Sequence, residues 1–275
     1  MGPGVPERDE TTYAFQNVRA VQFKRLRALE AVLDAGTVRQ LDSLGVGRGW
    51  RCLEVGAGGG SIAAWLCDRV APDGAVVATD LDTTVLRELS RPNLEIRVHD
   101  VLEDELTEGE FDLVHLRLLL AWLSEPQTAL HRLAAALKAG GWLLAEEMDF
   151  TSVAADPHVD DDARRVFTRV VAAHNAVLAR QHTFDVHYGR RVAGDLTDAG
   201  LADVACEGRA SMWRGGQAGG TVWRLTLTQL RKPMMASGLV TSADIDDAIA
   251  LCEDPAFAFV SQITMAARGR RPLGN

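Results

Sequence analysis

Leu53-Glu54-Val55-Gly56-Ala57-Gly58-Gly59-Gly60-Ser61 is the stretch that decides the fold of this chain. It follows a polar turn, Gly45 to Arg51, and leads into a helical pattern. A second apolar run, Ala75 to Ala78, ends at Thr79-Asp80. A strand, a glycine turn, a helix and a second strand ending in an acid predict an α/β sheet, with a nucleotide site at the carboxyl ends of its strands.

The glycines of this stretch have a physical role. Without β-carbons, Gly56, Gly58 and Gly60 can adopt positive φ and let a ligand lie against the backbone. The next helix begins near Ser61, so its free N–H groups face the same cleft. Asp80, at the end of the second strand, is placed to accept hydrogen bonds from both hydroxyls of a ribose.

Two cofactor classes use a site of this kind. The dinucleotide fingerprint G-x-G-x-x-G or A reads here as Gly56, Gly58 and then Ser61, which is an imperfect match. The spacing present is G-x-G-x-G, preceded by Glu54. A carboxylate at that position suits a ligand with a positive end better than it suits a pyrophosphate, although a nicotinamide cofactor stays an alternative.

The stretch resembles motif I of the class I S-adenosylmethionine-dependent methyltransferases, E/D-x-G-x-G-x-G. Four later segments resemble that family's second motif, third strand, fourth strand and fifth-strand region, in chain order: Val76–Asp82, Leu94–Val101, Phe111–Arg117 and Leu137–Leu144. The resemblance implies S-adenosylmethionine as cofactor. It also implies a Rossmann-like α/β fold, with a seven-stranded, mostly parallel sheet, an antiparallel last strand and helical lid insertions.

The resemblance also implies the cofactor-binding residues. In that family the residue matching Glu54 acts near the methionine amine, Asp80 matches the ribose-binding acid, and Leu81 matches an apolar adenine contact. Asp100 takes the place of the acid that meets the adenine amino group, with Val101 beside the ring. The full set expected is Glu54, Gly56, Ala57, Gly58, Asp80, Leu81, Asp100, Val101, Leu116 and Arg117.

Leu116 and Arg117 are placed just past the fourth strand, beside the methionine end. Arg117 is expected to reach a carboxylate or brace the lid, unless it is a surface residue lying along an apolar helix.

Methyl transfer from a sulfonium needs alignment and exclusion of water more than acid–base help. A base is needed only if the nucleophile arrives protonated. The candidates are Glu146, Glu147 and Asp149, expected just after the fifth strand, and we prefer Glu147, although a salt-bridged loop acid is the alternative. Tyr13 is a candidate to close over the cofactor or merely to pack. His187 is a candidate substrate contact.

Charge and hydropathy limit the partners. The net charge of -9 and pI of about 5.3 disfavour nucleic acid, whose binding depends largely on Lys and Arg. No signal peptide is visible, and the longest apolar run, Leu116 to Leu123, contains Arg117 and is too short for a membrane helix. A cytoplasmic protein with no membrane association is therefore expected.

Cysteines and histidines give no metal signal. Four scattered cysteines form no C-x-x-C and are expected to be buried and reduced: Cys52, Cys67, Cys206 and Cys252. His182, Asp185 and His187 offer two imidazoles and a carboxylate, but an irregular loop does not supply a preformed facial geometry. We expect no metal.

The chain is expected to form a disordered tail, 1–12, and a single methyltransferase domain, 13–275. Strand–helix alternation over the cofactor-binding core, 45–150, is interrupted elsewhere by helices, which we interpret as a lid. They could also widen the core or form a dimer face. The other segments are two N-terminal lid helices (13–44), a helical insertion (151–190) and closing strands (191–275) carrying a second insertion (221–254).

The whole-chain pattern, including Tyr188-Gly189-Arg190-Arg191 and Phe257-Ala258-Phe259-Val260-Ser261, resembles actinobacterial methyltransferases that tailor secondary metabolites. The resemblance implies an enzyme that transfers a methyl group to carbon, nitrogen or oxygen of a small-molecule acceptor, in secondary-metabolite biosynthesis. Trp213 and Trp223, which flank the glycine turn Gly215–Gly220, line the acceptor pocket or belong to an aromatic core. The alternatives are an NAD(P)-dependent oxidoreductase, a protein or RNA methyltransferase, and a binding protein without catalysis. A homodimer is the candidate assembly.

Overall fold

A seven-stranded sheet forms the centre of the protein. The computed structural model describes residues 19–181 and 183–274. The strands of this sheet are β1 Arg51–Val55, β2 Ala75–Asp80, β3 Leu94–Val98, β4 Phe111–Arg117, β5 Leu137–Asp149, β7 Ala202–Arg209 and β10 Ile263–Arg270. They lie in the order β3-β2-β1-β4-β5-β10-β7.

The direction of the strands confirms the predicted fold class. Strands β1 to β5 pair in parallel, whereas β10 pairs antiparallel with both β5 and β7. Three short strands form a second sheet, in the order β6-β9-β8, that the sequence did not predict: β6 Ala154–Ala155, β8 Met212–Arg214 and β9 Ala258–Val260.

Seven α-helices accompany the sheets within the described ranges: α1 Arg19–Ser43, α2 Ser61–Val70, α3 Pro126–Ala136, α4 Asp161–Ala179, α5 Tyr188–Asp198, α6 Ala218–Ala236 and α7 Ser242–Glu253. In this part of the chain, no helix combines the length and the apolar character that a bilayer crossing would demand. Helices α4, α6 and α7 come from the two predicted insertions and pack on one another.

Alternation along the strands divides the apolar core into two clusters. Cys52, Leu113 and Leu144 pack with α1 and α2 on one face of the sheet. Leu53 and Val114, one position away, pack on the opposite face with residues of α3 to α7. Since successive side chains of a strand point to opposite faces, this division fixes the face on which each polar residue of a strand lies.

Several predicted boundaries were wrong. One helix, α1, covers the described part of 13–44, where two were expected. It continues through Gly36, where a β-carbon would lie 1.8 Å from Cζ of Arg209. Glycine is therefore needed for close packing and does not end the helix. Cys206 is exposed on the edge strand β7, which corrects its predicted burial.

The Gly215–Gly220 segment is also different from the prediction. Helix α6 begins inside it, at Ala218. A β-carbon at Gly219 would lie 2.3 Å from the Trp213 ring, and one at Gly220 would lie 2.4 Å from the Cys252 carbonyl oxygen. These two glycines permit close contact between elements, and they do not form the flexible turn that their composition indicated.

Candidate active site

The glycine turn from Gly56 to Gly60 lies between β1 and α2, and helix α1 packs against it. Gly56, Gly58 and Gly60 have φ values of 66°, 54° and 81°, which confirms the predicted left-handed backbone. A β-carbon at Gly58 would lie 3.5 Å from Leu26 of α1. At Gly59 it would lie 2.1 Å from Oε1 of Glu30. Helix α1 therefore lies directly over the turn, as a lid helix would.

Asp80 is joined to the glycine turn by a backbone hydrogen bond. The Gly58 N–H donates to Oδ2 of Asp80 at 2.9 Å, and the Asp82 N–H donates to Oδ1 at 3.1 Å. Burial raises the pKa of Asp80, against the lowering effect of these bonds. The turn and the acid thus form one unit, which is the relation expected at a ribose site. Ala57 belongs to the same unit, because its N–H donates to the Thr79 carbonyl oxygen at 2.9 Å.

The residues expected at the adenine end differ in exposure. Leu81 is 60% exposed beside Asp80 and presents an apolar surface. Asp100 caps the turn after β3, where its Oδ1 accepts from the Leu102 N–H at 3.0 Å. Val101 is buried in the core. A ligand contact at Val101 would therefore come from its backbone, because its side chain packs away from solvent.

Glu54 forms part of a buried charged network. Strand register places it opposite His115 of β4, and His115 Nδ1 lies 2.6 Å from Glu54 Oε2. On the other side of the ring, Nε2 lies 3.5 Å from Oε2 of Glu146. Both side chains that flank His115 are almost wholly buried, as is His115 itself.

The protonation of this network follows from its geometry. Burial disfavours an imidazolium, but the carboxylates of Glu54 and Glu146 outweigh that effect and raise the pKa of His115 to about 9. Burial also opposes ionisation of Glu146, yet hydrogen bonds from His115 and Thr37 lower its pKa. His115 is therefore a cation between two carboxylates at neutral pH.

Arg117 and Leu116 lie within β4, not beyond it as predicted. Arg117 donates to Oδ1 of Asp34 at 2.9 Å and to Oγ1 of Thr37 at 2.8 Å. Because both partners belong to α1, Arg117 braces that helix against the sheet, and the alternative of a surface position on a helix was wrong. Leu116 is fully buried in the core, so its side chain does not face a ligand.

The three candidate bases lie inside β5, not after it. Glu146 is on the α1 face and belongs to the buried network. Asp149 is paired with Arg190 at 2.9 Å, and its pKa is lowered because hydrogen bonds from Thr151 and this ion pair outweigh its burial. Glu147 is fully buried on the opposite face, as alternation predicted.

Glu147 supports the turn that follows β4. Its Oε1 accepts from the backbone N–H groups of Leu119 and Leu120 at 2.9 and 2.7 Å. Burial raises the pKa of Glu147 to about 8, although these bonds act in the opposite direction. A carboxyl group with such a pKa can exchange a proton near neutral pH. Its role as a base remains a prediction.

The other predicted residues have separate outcomes. Tyr13 and His182 lie outside the described residues. His187 is exposed and immediately precedes α5, so a substrate contact there also stays a prediction. Trp213 and Trp223 are buried, and Trp223 lies 5.6 Å from Phe167 between ring centroids. The structure thus favours the aromatic core for both tryptophans.

His115 is the member of this network that the sequence analysis did not single out. The available signal was the presence of an acid and an imidazole, Glu54 and His115, in the apolar interior of two strands. Charged groups in buried strands are rare unless they are paired. The pairing could therefore have been suspected before the strand register was known.

Comparisons with known proteins agree with this architecture. Residues 53–145 match the family model of a methyltransferase domain. Methyltransferase str2 of Strobilurus tenacellus is 29% identical over 171 residues, 62% of this chain and 60% of the relative. Methyltransferase str3 of the same organism is 27% identical over 197 residues, 71% of this chain and 68% of the relative. The match therefore spans less than two thirds of the first of these relatives.

A solved structure supports the fold. A candidate methyltransferase of Bacillus halodurans superposes with a TM-score of 0.54 at 18% identity, covering 85% of this chain and 98% of the other. The match over residues 53–145 identifies a methyltransferase domain in this chain, and the strand order and the acid–glycine motif at the end of β1 are those that the resemblance to the class I S-adenosylmethionine-dependent methyltransferases implied.

Proposed function

We propose that this protein transfers the methyl group of S-adenosylmethionine to a small-molecule acceptor. The observation that carries the proposal is the unit formed by the glycine turn and Asp80, with Gly58 N–H bonded to the Asp80 carboxylate at 2.9 Å. Glu54 lies at the end of the adjacent strand β1, where it can attract the ligand's amino group. This arrangement offers hydrogen-bond acceptors for the ribose and an anion for the methionine end.

The position of helix α1 favours a small molecule as the methyl acceptor. Leu26 and Glu30 of α1 lie over the glycine turn, so the helix restricts access of water to the site. Excluding water and aligning the reacting atoms are the main requirements of this reaction. The net charge of -9 is a further argument against nucleic acid as the acceptor.

Aromatic side chains near the carboxyl ends of β4 and β5 favour an apolar acceptor. Trp122 and Phe184 have ring centroids 4.3 Å apart, and Phe150 lies 5.1 Å from Phe184. The segments that carry Trp122 and Phe184 are joined by a backbone hydrogen bond, in which the Asp185 N–H donates to the Ala121 carbonyl oxygen at 3.0 Å. We assign this aromatic patch, Trp122, Phe150 and Phe184, to the acceptor side of the site.

Glu147 is the proposed proton acceptor for a nucleophile that arrives protonated, acting in its carboxylate form, because burial raises its pKa to about 8 and makes that form a stronger base than an ordinary carboxylate. The resemblance seen in the sequence further supports a place in secondary-metabolite biosynthesis. Whether the acceptor atom is carbon, nitrogen or oxygen is a question for acceptor screening with labelled S-adenosylmethionine.

Thermal melting with S-adenosylhomocysteine, NAD and NADP at equal concentration tests the cofactor. A ligand at a hundredfold its Kd stabilises a protein by about 2.7 kcal/mol. We expect a shift with S-adenosylhomocysteine alone, and a shift with a nicotinamide cofactor alone would refute the proposal.

Calorimetry on two aspartate variants tests the ribose site. Asp80→Asn should weaken S-adenosylhomocysteine binding at least tenfold, because hydrogen bonds to a charged acceptor contribute about 1.5–3 kcal/mol each. Asp68→Asn, at an exposed acid of α2 that pairs with Arg91, should bind like the wild type. Equal affinity of both variants would remove Asp80 from the site.

A further inference from the structure

His115 has a fixed protonation state for a geometric reason. One ring nitrogen lies 2.6 Å from a Glu54 oxygen, and the other lies 3.5 Å from a Glu146 oxygen. A neutral imidazole has only one N–H, so one nitrogen lone pair would face a carboxylate lone pair. The imidazolium donates in both directions, and only this form satisfies both neighbours.

The chain of contacts continues into the lid helix. Arg117 has donors only, so the Thr37 hydroxyl oxygen accepts from it at 2.8 Å. The single hydrogen of that hydroxyl then goes to Glu146. Arg117 also binds Asp34 one turn earlier in α1. The carboxylate at the cofactor site is therefore connected to the helix that covers the glycine turn.

The charges along this path compensate one another. Arg209 of β7 is the sixth charged group. Its Nη2 lies 3.8 Å from Oε1 of Glu146. The groups that face one another from β1, β4, β5, β7 and α1 are three acids and three bases: Glu54, Glu146, Asp34, His115, Arg117 and Arg209. Removing one member leaves a buried charge without compensation.

We propose that His115 is a positioning residue, which holds the Glu54 carboxylate oriented toward the amino group of the cofactor. The inference rests on the proposed function. It assigns to His115 the affinity for the amino-acid end of the ligand and assigns it no contact with the adenosine end, which belongs to Asp80 on a different strand.

Loss of the imidazolium has a defined physical consequence. Two carboxylates, Glu54 and Glu146, would then remain buried with their bridging cation removed. The hydrogen bond that orients Glu54 would be lost. Its carboxylate would no longer be held toward the cofactor, and its attraction for an ammonium group would fall.

Calorimetry with two ligands separates this role from a structural one. S-adenosylhomocysteine carries the ammonium group, whereas 5′-methylthioadenosine lacks the amino-acid moiety. For His115→Gln at pH 7 we expect the Kd of S-adenosylhomocysteine to rise at least tenfold, and that of 5′-methylthioadenosine to change less than twofold. The matched control is His131→Gln, at an exposed histidine of α3, which should bind both ligands like the wild type.

The two ligands together decide the outcome. An equal loss for both ligands, or no loss for either, would overturn the assignment. Failure of the wild type to bind either ligand would instead refute the proposed function itself.

A second pair of variants guards against misfolding of His115→Gln. Glu146→Gln and the double variant His115→Gln/Glu146→Gln differ only at His115, and the double variant removes one charge of each sign. The double variant should lose affinity for S-adenosylhomocysteine selectively, relative to Glu146→Gln alone. Identical affinities in the pair would overturn the role of His115.

Discussion

Replacing Glu147 with glutamine is expected to make the stability of this protein less dependent on pH between 6 and 9. The Glu147 side chain is fully buried, and its pKa is raised to about 8 from an ordinary value of 4.5, because burial disfavours the carboxylate. The folded protein therefore keeps a proton that the unfolded chain releases above about pH 4.5. Stability from this group is present at low pH and is lost as the pH rises through 8.

The magnitude follows from the interval between the working pH and the folded-state pKa. At pH 6 the group lies about two pH units below its pKa of about 8, and each unit is worth about 1.4 kcal/mol. The wild type should thus lose about 3 kcal/mol through Glu147 between pH 6 and pH 9. That is a large fraction of the 5–15 kcal/mol typical of a folded domain.

The assay is urea unfolding at pH 6, 7, 8 and 9, with the free energy of unfolding compared between wild type and variant. Glutamine keeps an oxygen that can accept from the Leu119 and Leu120 N–H groups, so the two proteins should differ by less than about 1 kcal/mol at pH 6. At pH 9, Glu147→Gln should be more stable than the wild type by about 3 kcal/mol. Parallel stability curves across this range would refute the reasoning.

The stability contributed by Glu146 should depend on pH in the opposite direction. Its pKa is lowered by His115 and Thr37, so its stabilising contribution is present above its unfolded pKa and is lost only as the pH falls. Glu146→Gln should therefore be less stable than the wild type at pH 7. A measurement of turnover tests the proposed role of Glu147 as a base. If Glu147 accepts a proton from the nucleophile, Glu147→Gln should bind the cofactor normally and transfer the methyl group slowly. A full rate with the true acceptor would remove it from the mechanism.

Further predictions concern the turn and a helix cap. Gly60→Ala should lower stability by more than Gly109→Ala, because both have positive φ but only at Gly60 does an added β-carbon come within 2.4 Å of Leu89. Urea unfolding should show roughly 1–2 kcal/mol for Gly109→Ala, the cost of the left-handed backbone alone, and equal losses would show that Leu89 yields freely. Asp160→Ala should cost about 1 kcal/mol, because the Asp160 side chain accepts from two backbone amides in the first turn of α4. Unchanged unfolding of that variant would mean that water replaces the cap.

The cofactor half of the fold could be predicted from local sequence. The acid–glycine stretch and the run ending at Asp80 belong to consecutive strands, so their positions at one edge of the sheet follow from the right-handed β-α-β connection. Helix α4 lies inside the predicted helical insertion 151–190, and its cap and apolar spacing are local signals. The antiparallel closing pair followed from the family resemblance.

The network around Glu54 could not be predicted in the same way. His115 follows Glu54 by 61 residues, and Thr37 and Glu146 are separated by 109. Their contact depends on the register between β1, β4 and β5 and on the docking of α1 against one face of the sheet. A shift of one residue in that register would move His115 to the opposite face.

The sequence by itself determined the acid–glycine–acid motif and the strand–helix alternation of residues 45–150, and therefore the expected cofactor end of the site. Those features depend on residues close in the chain, whose backbone preferences and periodicity are local. Only the tertiary structure decided that Arg117 braces helix α1, that Glu146 and Glu147 ionise differently, and that His115 lies between two carboxylates. Ionisation depends on burial and on neighbouring charges, and both are set by packing between distant segments of the chain.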